Sequence, residues 1–273
     1  MNGKMQFSVA MCVYGGDKAE YFDKALESVY NQTRHPDEVV LTVDGPVPSS
    51  INEVISKYQE KEGLTVCRLE RNMGHGMARR TGLAHCSHGI VAIADADDIN
   101  APSRFEKQIR LFENNSQLDA VSSGCAHFVN TIDDTFYEEF LPESDAEIKQ
   151  FMKRRCPLCQ ASTMFRKSKV EEAGGYLDWY HAEDYYLWIR MYLCGATFRN
   201  IKENLLYVRS NPDYINRRGG WNYFKSLAKL FEYMYKHKVI GLGDLLFNVS
   251  TRFVAQILLP GSLRGWLRKV VDK

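Results

Sequence analysis

The chain has 273 residues, 45% of them hydrophobic and 25% charged, with a formal net charge of +1. Such a length buries a substantial core without needing disulfides or structural metals, and the near-neutral balance gives no global reason to expect a nucleic-acid partner. No stretch reaches about 18 uninterrupted apolar residues, so no spanning helix is expected, and no repeat or low-complexity segment stands out.

In chain order, Phe7 to Tyr14 is an apolar run rich in strand formers, and the loop Gly15-Gly16-Asp17 follows it. Tyr21, Phe22, Ala25, Leu26 and Val29 then recur at helical spacing. Glu38 to Asp44 reads as a second strand, stopped by Gly45-Pro46, and Ile51, Val54, Ile55 and Tyr58 line a second helix. Leu64 to Leu69 predicts a third strand, Gly76 to His85 a short helix, and Ile90 to Ala94 a fourth strand running into Asp95. This alternation predicts a parallel sheet with helices on both faces. Ligands then sit beyond the carboxyl ends of the strands. Those ends deliver Tyr14-Gly15-Gly16, Asp44-Gly45, Arg71-Asn72-Met73-Gly74 and Asp95-Ala96-Asp97-Asp98.

The second half is more mixed. Phe105, Ile109 and Phe112 mark a helix, Asp119 to Asn130 a strand, and Thr131 to Asp134 the turn of a hairpin. Ala161 to Phe165 is a further strand, and Tyr185, Trp188, Ile189, Tyr192 and Leu193 form a helical stripe directly after Glu183-Asp184. Trp221 to His237 and Leu242 to Leu259 read as helices, with an amphipathic tail beyond.

Seven cysteines are scattered along the chain, and no signal-peptide pattern precedes the first apolar run. Both features predict a reduced, cytoplasmic setting. Cys156 and Cys159 form one CxxC with no second pair at zinc-ribbon spacing. Buried thiols are the plainer reading, zinc the alternative.

Three carboxylates within Asp95 to Asp98 repel one another unless a cation neutralises them, and oxygen-only ligands suit Mg²⁺ or Mn²⁺ beside a diphosphate. Capping of the next helix by Asp97 or Asp98 is the structural alternative. Asp44 can accept hydrogen bonds from a base or ribose, or simply start a turn. Gly74 and Gly76 open a helix carrying Arg79 and Arg80, a pattern that favours phosphate, although both arginines also suit a solvated face. No Walker loop or dinucleotide fingerprint occurs. Glu183 and Asp184 either complement the helix dipole or supply a general base. Arg217-Arg218-Gly219-Gly220 is either a glycine-hinged loop closing over phosphates or merely exposed.

Taken in order, these pieces resemble the family 2 glycosyltransferases, which have the A-type nucleotide-sugar fold. The matching stretches are Ser8 to Gly15, Leu26 to Val29 with Asn31-Gln32-Thr33, Pro36 to Val40 and Val43 to Pro46. Asn72-Met73-Gly74 with Ala78-Arg79, Asp95 to Asp98, Met164 to Ser168, Gly174-Gly175-Tyr176 and Glu183 to Trp188 complete the series, which covers roughly residues 5–210. The resemblance implies an α/β fold with a Rossmann-like nucleotide-sugar-binding sheet and a helical C-terminal appendage. Residues 1–215 would be catalytic, with a nucleotide-binding half (1–100) and an acceptor half (101–215), and residues 216–273 a C-terminal helical segment.

By the same resemblance Asp44 binds the nucleobase, commonly uracil, Arg79 lies near the diphosphate, and Asp95 touches ribose or donor sugar. Tyr14 and Asn72 join the donor-binding set by their strand-end positions, as do Arg217 and Arg218 from the late basic loop. Asp97 ligates Mn²⁺ or Mg²⁺ with Asp98 beside it. Asp184 is the base, with Glu183 orienting a substrate, and the sugar is transferred with inversion.

Two departures qualify this. Many members carry two aspartates where this chain has Val43-Asp44, so a second acidic contact to the nucleotide is missing. The Gln-x-x-Arg-Trp motif and membrane spans of processive members are absent, which favours single additions. The expected donor is a nucleotide sugar, with UDP the family-weighted choice, and the expected acceptor a glycan or lipid-linked oligosaccharide. Leu263, Trp266, Leu267, Val270 and Val271 share a helical face among basic residues. This face either meets the cytoplasmic membrane surface, making 253–273 a peripheral anchor, or packs on the catalytic domain. Competing functions are a nucleotidyltransferase that makes the nucleotide sugar and a non-catalytic protein that binds it.

Overall fold

A computed structural model describes residues 4–210 and 219–259. Its first half is a run of β1 (Phe7–Tyr14), α1 (Ala19–Tyr30), β2 (Glu38–Asp44), α2 (Ser49–Glu62), β3 (Thr65–Arg68), α3 (His75–His85) and β4 (Ile90–Asp95). Strands β3, β2, β1 and β4 lie side by side and parallel. Parallel strands need crossovers, and the three helices provide them while covering the sheet. The alternation within β1 shows why its sequence is apolar throughout. Phe7, Val9, Met11 and Val13 enter a core with Phe22 and Leu26 of α1, whereas Ala10 faces the opposite core.

The second half comprises β5 (Ile99–Asn100), α4 (Arg104–Asn114), β6 (Ala120–Phe128), β7 (Tyr137–Glu139), α5 (Asp145–Met152), β8 (Met164–Arg166), α6 (Lys167–Glu172), α7 (Glu183–Leu193), β9 (Phe198–Arg209), α8 (Trp221–Lys236) and α9 (Leu242–Phe253). The sheet continues in the order β4-β8-β6-β9-β5, with β7 on β6. Here it is mixed: β8 runs antiparallel to both β4 and β6, while β9 is parallel to β6. The expected strand at 161–165 starts later than its apolar run suggests, because Gln160–Ser162 forms a 3₁₀ turn. The last expected helix is α-helical only to Phe253 and continues as a π-turn over Val254–Leu258. Trp188 of α7 is fully buried in the second core together with Leu230, Phe231 and Met234 of α8. No helix among the described residues is long and apolar enough to cross a membrane.

Candidate active site

The register of the parallel half sets the site. Tyr14 is paired with Asp44, and Cys12 with Asp95, so the carboxyl ends of β1, β2 and β4 bring their side chains to one edge. Beyond that edge lies a cleft of about 380 Å³. Tyr14, Asp17 and Asp44 line one side of it, Asn72 and His75 the mouth of α3, and Asp95 and Asp97 the other side.

Asp44 is nearly buried, and its two oxygens accept the backbone N–H groups of Met73 (2.6 Å) and Gly74 (3.0 Å). The loop is therefore pinned against the end of β2. Gly45 makes this possible: at φ +85° a side chain is strained, and a Cβ would sit 2.5 Å from the Asn72 nitrogen. The Asn72 side chain turns onto its own loop, accepting Gly74 N–H at 3.1 Å. Asp17 accepts Tyr14 N–H at 2.9 Å, and the Tyr14 ring meets His75 edge-on at 6.3 Å, leaving an aromatic lip at the mouth.

Arg79 is buried and donates to Asp95 Oδ1 at 3.0 Å and Glu183 Oε1 at 3.1 Å. These carboxylates, with the Tyr176 oxygen, hold its charge more firmly than usual despite burial. A guanidinium suits such a two-carboxylate bracket because its fork is planar and always charged. The bracket ties β4 to the start of α7, with Arg79 itself 104 residues from Glu183. Next to Glu183, Asp184 Oδ1 accepts Tyr185 N–H at 2.7 Å, and the Cys156 thiol donates to Oδ2 at 3.7 Å. His181, at φ +52°, makes the sharp entry into α7 that aims this acidic pair.

The Asp95–Asp98 turn is electrostatically crowded. Burial, then Asp95 and Asp17, push the Asp97 carboxyl up to about 6. Burial and the neighbouring Asp97 and Asp95 raise Asp98 well above the usual carboxylate range. Asp98 points to β9, where it accepts Arg209 N–H at 2.9 Å, and it does not line the cleft. Beneath the turn, Arg104 is fully buried, donates to the Ile93 carbonyl at 2.7 Å and is lowered by burial to about 9.

The structure thus gathers Tyr14, Asp44, Asn72, Asp95 and Asp97 at one cleft, with Arg79 and Glu183 immediately behind Asp95. Arg217 and Arg218 lie outside the described residues. Sequence reasoning missed Asp17, His75 and Tyr176 as site residues. Asp17 and His75 were within reach, as they flank a strand end and open a helix; Tyr176 was not, since its hydroxyl is placed by accepting Gln160 Nε2 at 2.6 Å. The Cys159 sulfur lies against Cys125 and not against Cys156, so the two cysteines of the CxxC do not stand together. Asp97, its carboxylate crowded by Asp95 and Asp17, would suit a hard divalent cation only where a diphosphate supplies most of the remaining oxygen ligands.

The parallel half presents acidic strand ends at one cleft, and the mixed half that extends it carries a carboxylate pair. This chain belongs to glycosyl transferase family 2, whose profile matches residues 8–174. It is 39% identical over 249 residues to the amylovoran biosynthesis glycosyltransferase AmsE of Erwinia amylovora, covering 90% of this chain and 92% of that one. It is 34% identical over 266 residues to the UDP-Gal:alpha-D-GlcNAc-diphosphoundecaprenol beta-1,3-galactosyltransferase of Escherichia coli, covering 97% and 96%. Among solved structures, the mannosyltransferase PcManGT of Pyrobaculum calidifontis, in complex with GDP-Man and Mn²⁺, superimposes with a TM-score of 0.67 at 15% identity, over 100% of this chain and 77% of that one. Family membership makes the chain a glycosyltransferase, and the nucleotidyltransferase alternative falls away.

Proposed function

We propose that this chain moves one sugar from a UDP-sugar to a hydroxyl of a lipid-linked glycan, with inversion at the anomeric carbon. The observation that carries the reading is the Arg79 bracket, which holds Asp95 of the donor cleft and Glu183, the neighbour of Asp184, on one guanidinium. Donor and base thereby share a fixed frame. The UDP and lipid-linked parts draw on the likeness to the Escherichia coli galactosyltransferase.

In this reading the base and ribose settle between the Tyr14–His75 lip and the Asp44-pinned loop. Asp184 takes the acceptor proton as the hydroxyl oxygen attacks the anomeric carbon and the sugar–diphosphate bond breaks. Tyr185 N–H fixes one Asp184 oxygen, which keeps the carboxylate oriented for that transfer. Glu183, held by Arg79, positions the acceptor. Mn²⁺ or Mg²⁺ held at Asp97 with Asp95 beside it would neutralise charge on the leaving diphosphate. Asp98 is left out of that ligand set, because its Oδ1 is engaged by Arg209. Arg217 and Arg218 remain candidates for closing over the diphosphate.

The test is thermal shift and slow donor hydrolysis across a nucleotide-sugar panel with Mn²⁺. One UDP-sugar should stabilise the wild type in a metal-dependent way, and Asp97→Ala should lose that effect. No response to any nucleotide sugar, with or without metal, would sink the donor-site assignment. Asp184→Asn should retain donor binding and lower kcat by about 10²–10⁴.

A further inference from the structure

Helix α9 is apolar on its outer as well as its inner face, where Leu245 and Val249 pack on the second core. Its polar Asn248, and Gln256 in the π-turn beyond it, are buried, whereas Leu242, Leu246 (60% exposed), Phe247 (51%), Val254 and Leu258 face outward. Every exposed position from Leu242 to Leu258 is uncharged. A helix on a water-facing surface carries polar and charged residues on its outer face. The burial of Asn248 is specific, since its side chain donates to the Lys153 carbonyl at 2.9 Å and so fixes which face points out. The apolar ridge continues onto α8, where Phe224 meets Phe253 at 5.5 Å and the exposed Trp221 meets Phe224 at 5.4 Å.

The rim of the ridge is basic. Arg154, 60% exposed, lies over the Phe247 ring at 4.8 Å, and Lys225 lies over Trp221 at 5.5 Å. Beside the first turn of α9, a cleft of about 570 Å³ presents Lys153, Lys236 and Lys238. Acidic neighbours are Asp244, 4.0 Å from Arg154, and Glu232, which pairs with Lys236. An apolar strip with an interfacial tryptophan and a lysine- and arginine-rich border matches the chemistry of an anionic bilayer: acyl chains against the ridge, phosphate headgroups against the basic rim.

We propose that the α8–α9 ridge seats the enzyme on an anionic membrane surface. The proposal rests on the reading of the acceptor as lipid-linked, and the fold supplies the connection. The segment Lys153 to Cys156 runs from the ridge to the site: Arg154 covers Phe247, and the Cys156 thiol donates to Asp184. Chain geometry limits the separation of ridge and base to about 25 Å. An acceptor anchored in the bilayer can then present its sugar to Asp184 while the ridge stays seated.

The experiment is co-sedimentation of the full chain with phosphatidylglycerol-containing and with pure phosphatidylcholine vesicles. Leu246→Ser/Phe247→Ser and Lys236→Glu/Lys238→Glu are run beside the wild type, with Trp266→Ser, which lies outside the described residues, as the comparison. All substituted ridge positions are exposed, and unchanged melting and UDP-sugar hydrolysis verify that fold and donor site are intact. The wild type should pellet with anionic vesicles, the ridge variant at least tenfold less, and the lysine variant should lose the preference for anionic over neutral lipid. Equal pelleting of ridge variant and wild type, or loss only in Trp266→Ser, would overturn the proposal. A wild type that stays in the supernatant but dimerises through the ridge would also overturn it, naming a second copy as the occupant. Vesicle binding is read without sugar chemistry, so it fails or succeeds independently of the donor assignment.

Discussion

Arg79 and Asp97 illustrate opposite ways of handling a buried charge. Arg79 is compensated by two carboxylates, so its removal leaves both without a partner. Arg79→Met should destabilise the fold by about 3–5 kcal/mol in denaturant titration, because breaking a buried pair is far costlier than exchanging it whole. Asp97 is under-compensated, since Arg209 offsets less than burial, Asp95 and Asp17 impose. Its folded carboxyl titrates near 6 against an ordinary value of 3.8, so the folded state holds the proton more tightly and stability falls as pH rises between those values. Asp97→Asn should therefore stabilise the metal-free protein by up to about 3 kcal/mol above pH 6 and not below pH 4, while abolishing metal-dependent donor binding. Melting curves at pH 4 and pH 7.5 check this, and equal differences at both would refute it. The positions of Asp44, Asp95 and Asp97 were legible because strand ends in a parallel sheet are predictable from apolar runs. The partners of Arg79 were not, because Glu183 comes from a helix 104 residues further along the chain.

Elements with long, strongly periodic sequences were readable almost to the residue: β1 and β2 start and stop where the apolar runs do. Helix α5 escaped because only Ile148 and Met152 of its eight residues are buried, leaving little periodicity to see. Its signal was of another kind: Ser144 and Glu147 form a capping box, a spacing visible in the chain. Strand β9 escaped because Arg199, Lys202 and Glu203 interrupt its alternation, and a bulge opposite Gly124 breaks the register. That bulge depends on a missing side chain, since a Cβ on Gly124 would stand 2.9 Å from the Glu203 carbonyl oxygen. Gly124→Ala should cost about 1–3 kcal/mol. Trp188→Ala, which empties the centre of the second core, should cost about 3–5 kcal/mol and loosen α7 together with its acidic pair, lowering kcat more than donor affinity. Urea titrations with parallel kinetics distinguish the two variants.

At the scale of the whole molecule, the sheet divides labour. Its parallel side holds the cleft proposed for the donor, and its mixed side carries the carboxylate pair. Donor and metal bound together should stabilise the entire fold by mass action, by about 2.7 kcal/mol at one hundred times the Kd of the pair, and at those same concentrations either alone should give less. Calorimetry with Mn²⁺, UDP or both tests this directly. The order of strands has a further consequence, for synthesis on the ribosome. β4 ends at Asp95, yet the strand that covers its open edge, β8, begins only at Met164. At about 5–20 residues per second, the nascent nucleotide-binding half waits on the order of 4–14 s with that edge bare. An uncovered edge with β4's sequence, Ile-Val-Ala-Ile-Ala, is a template for other chains, so the dangerous interval for this protein comes in mid-translation, and slowing the ribosome between codons 95 and 164 should raise aggregation more than an equal pause after codon 166.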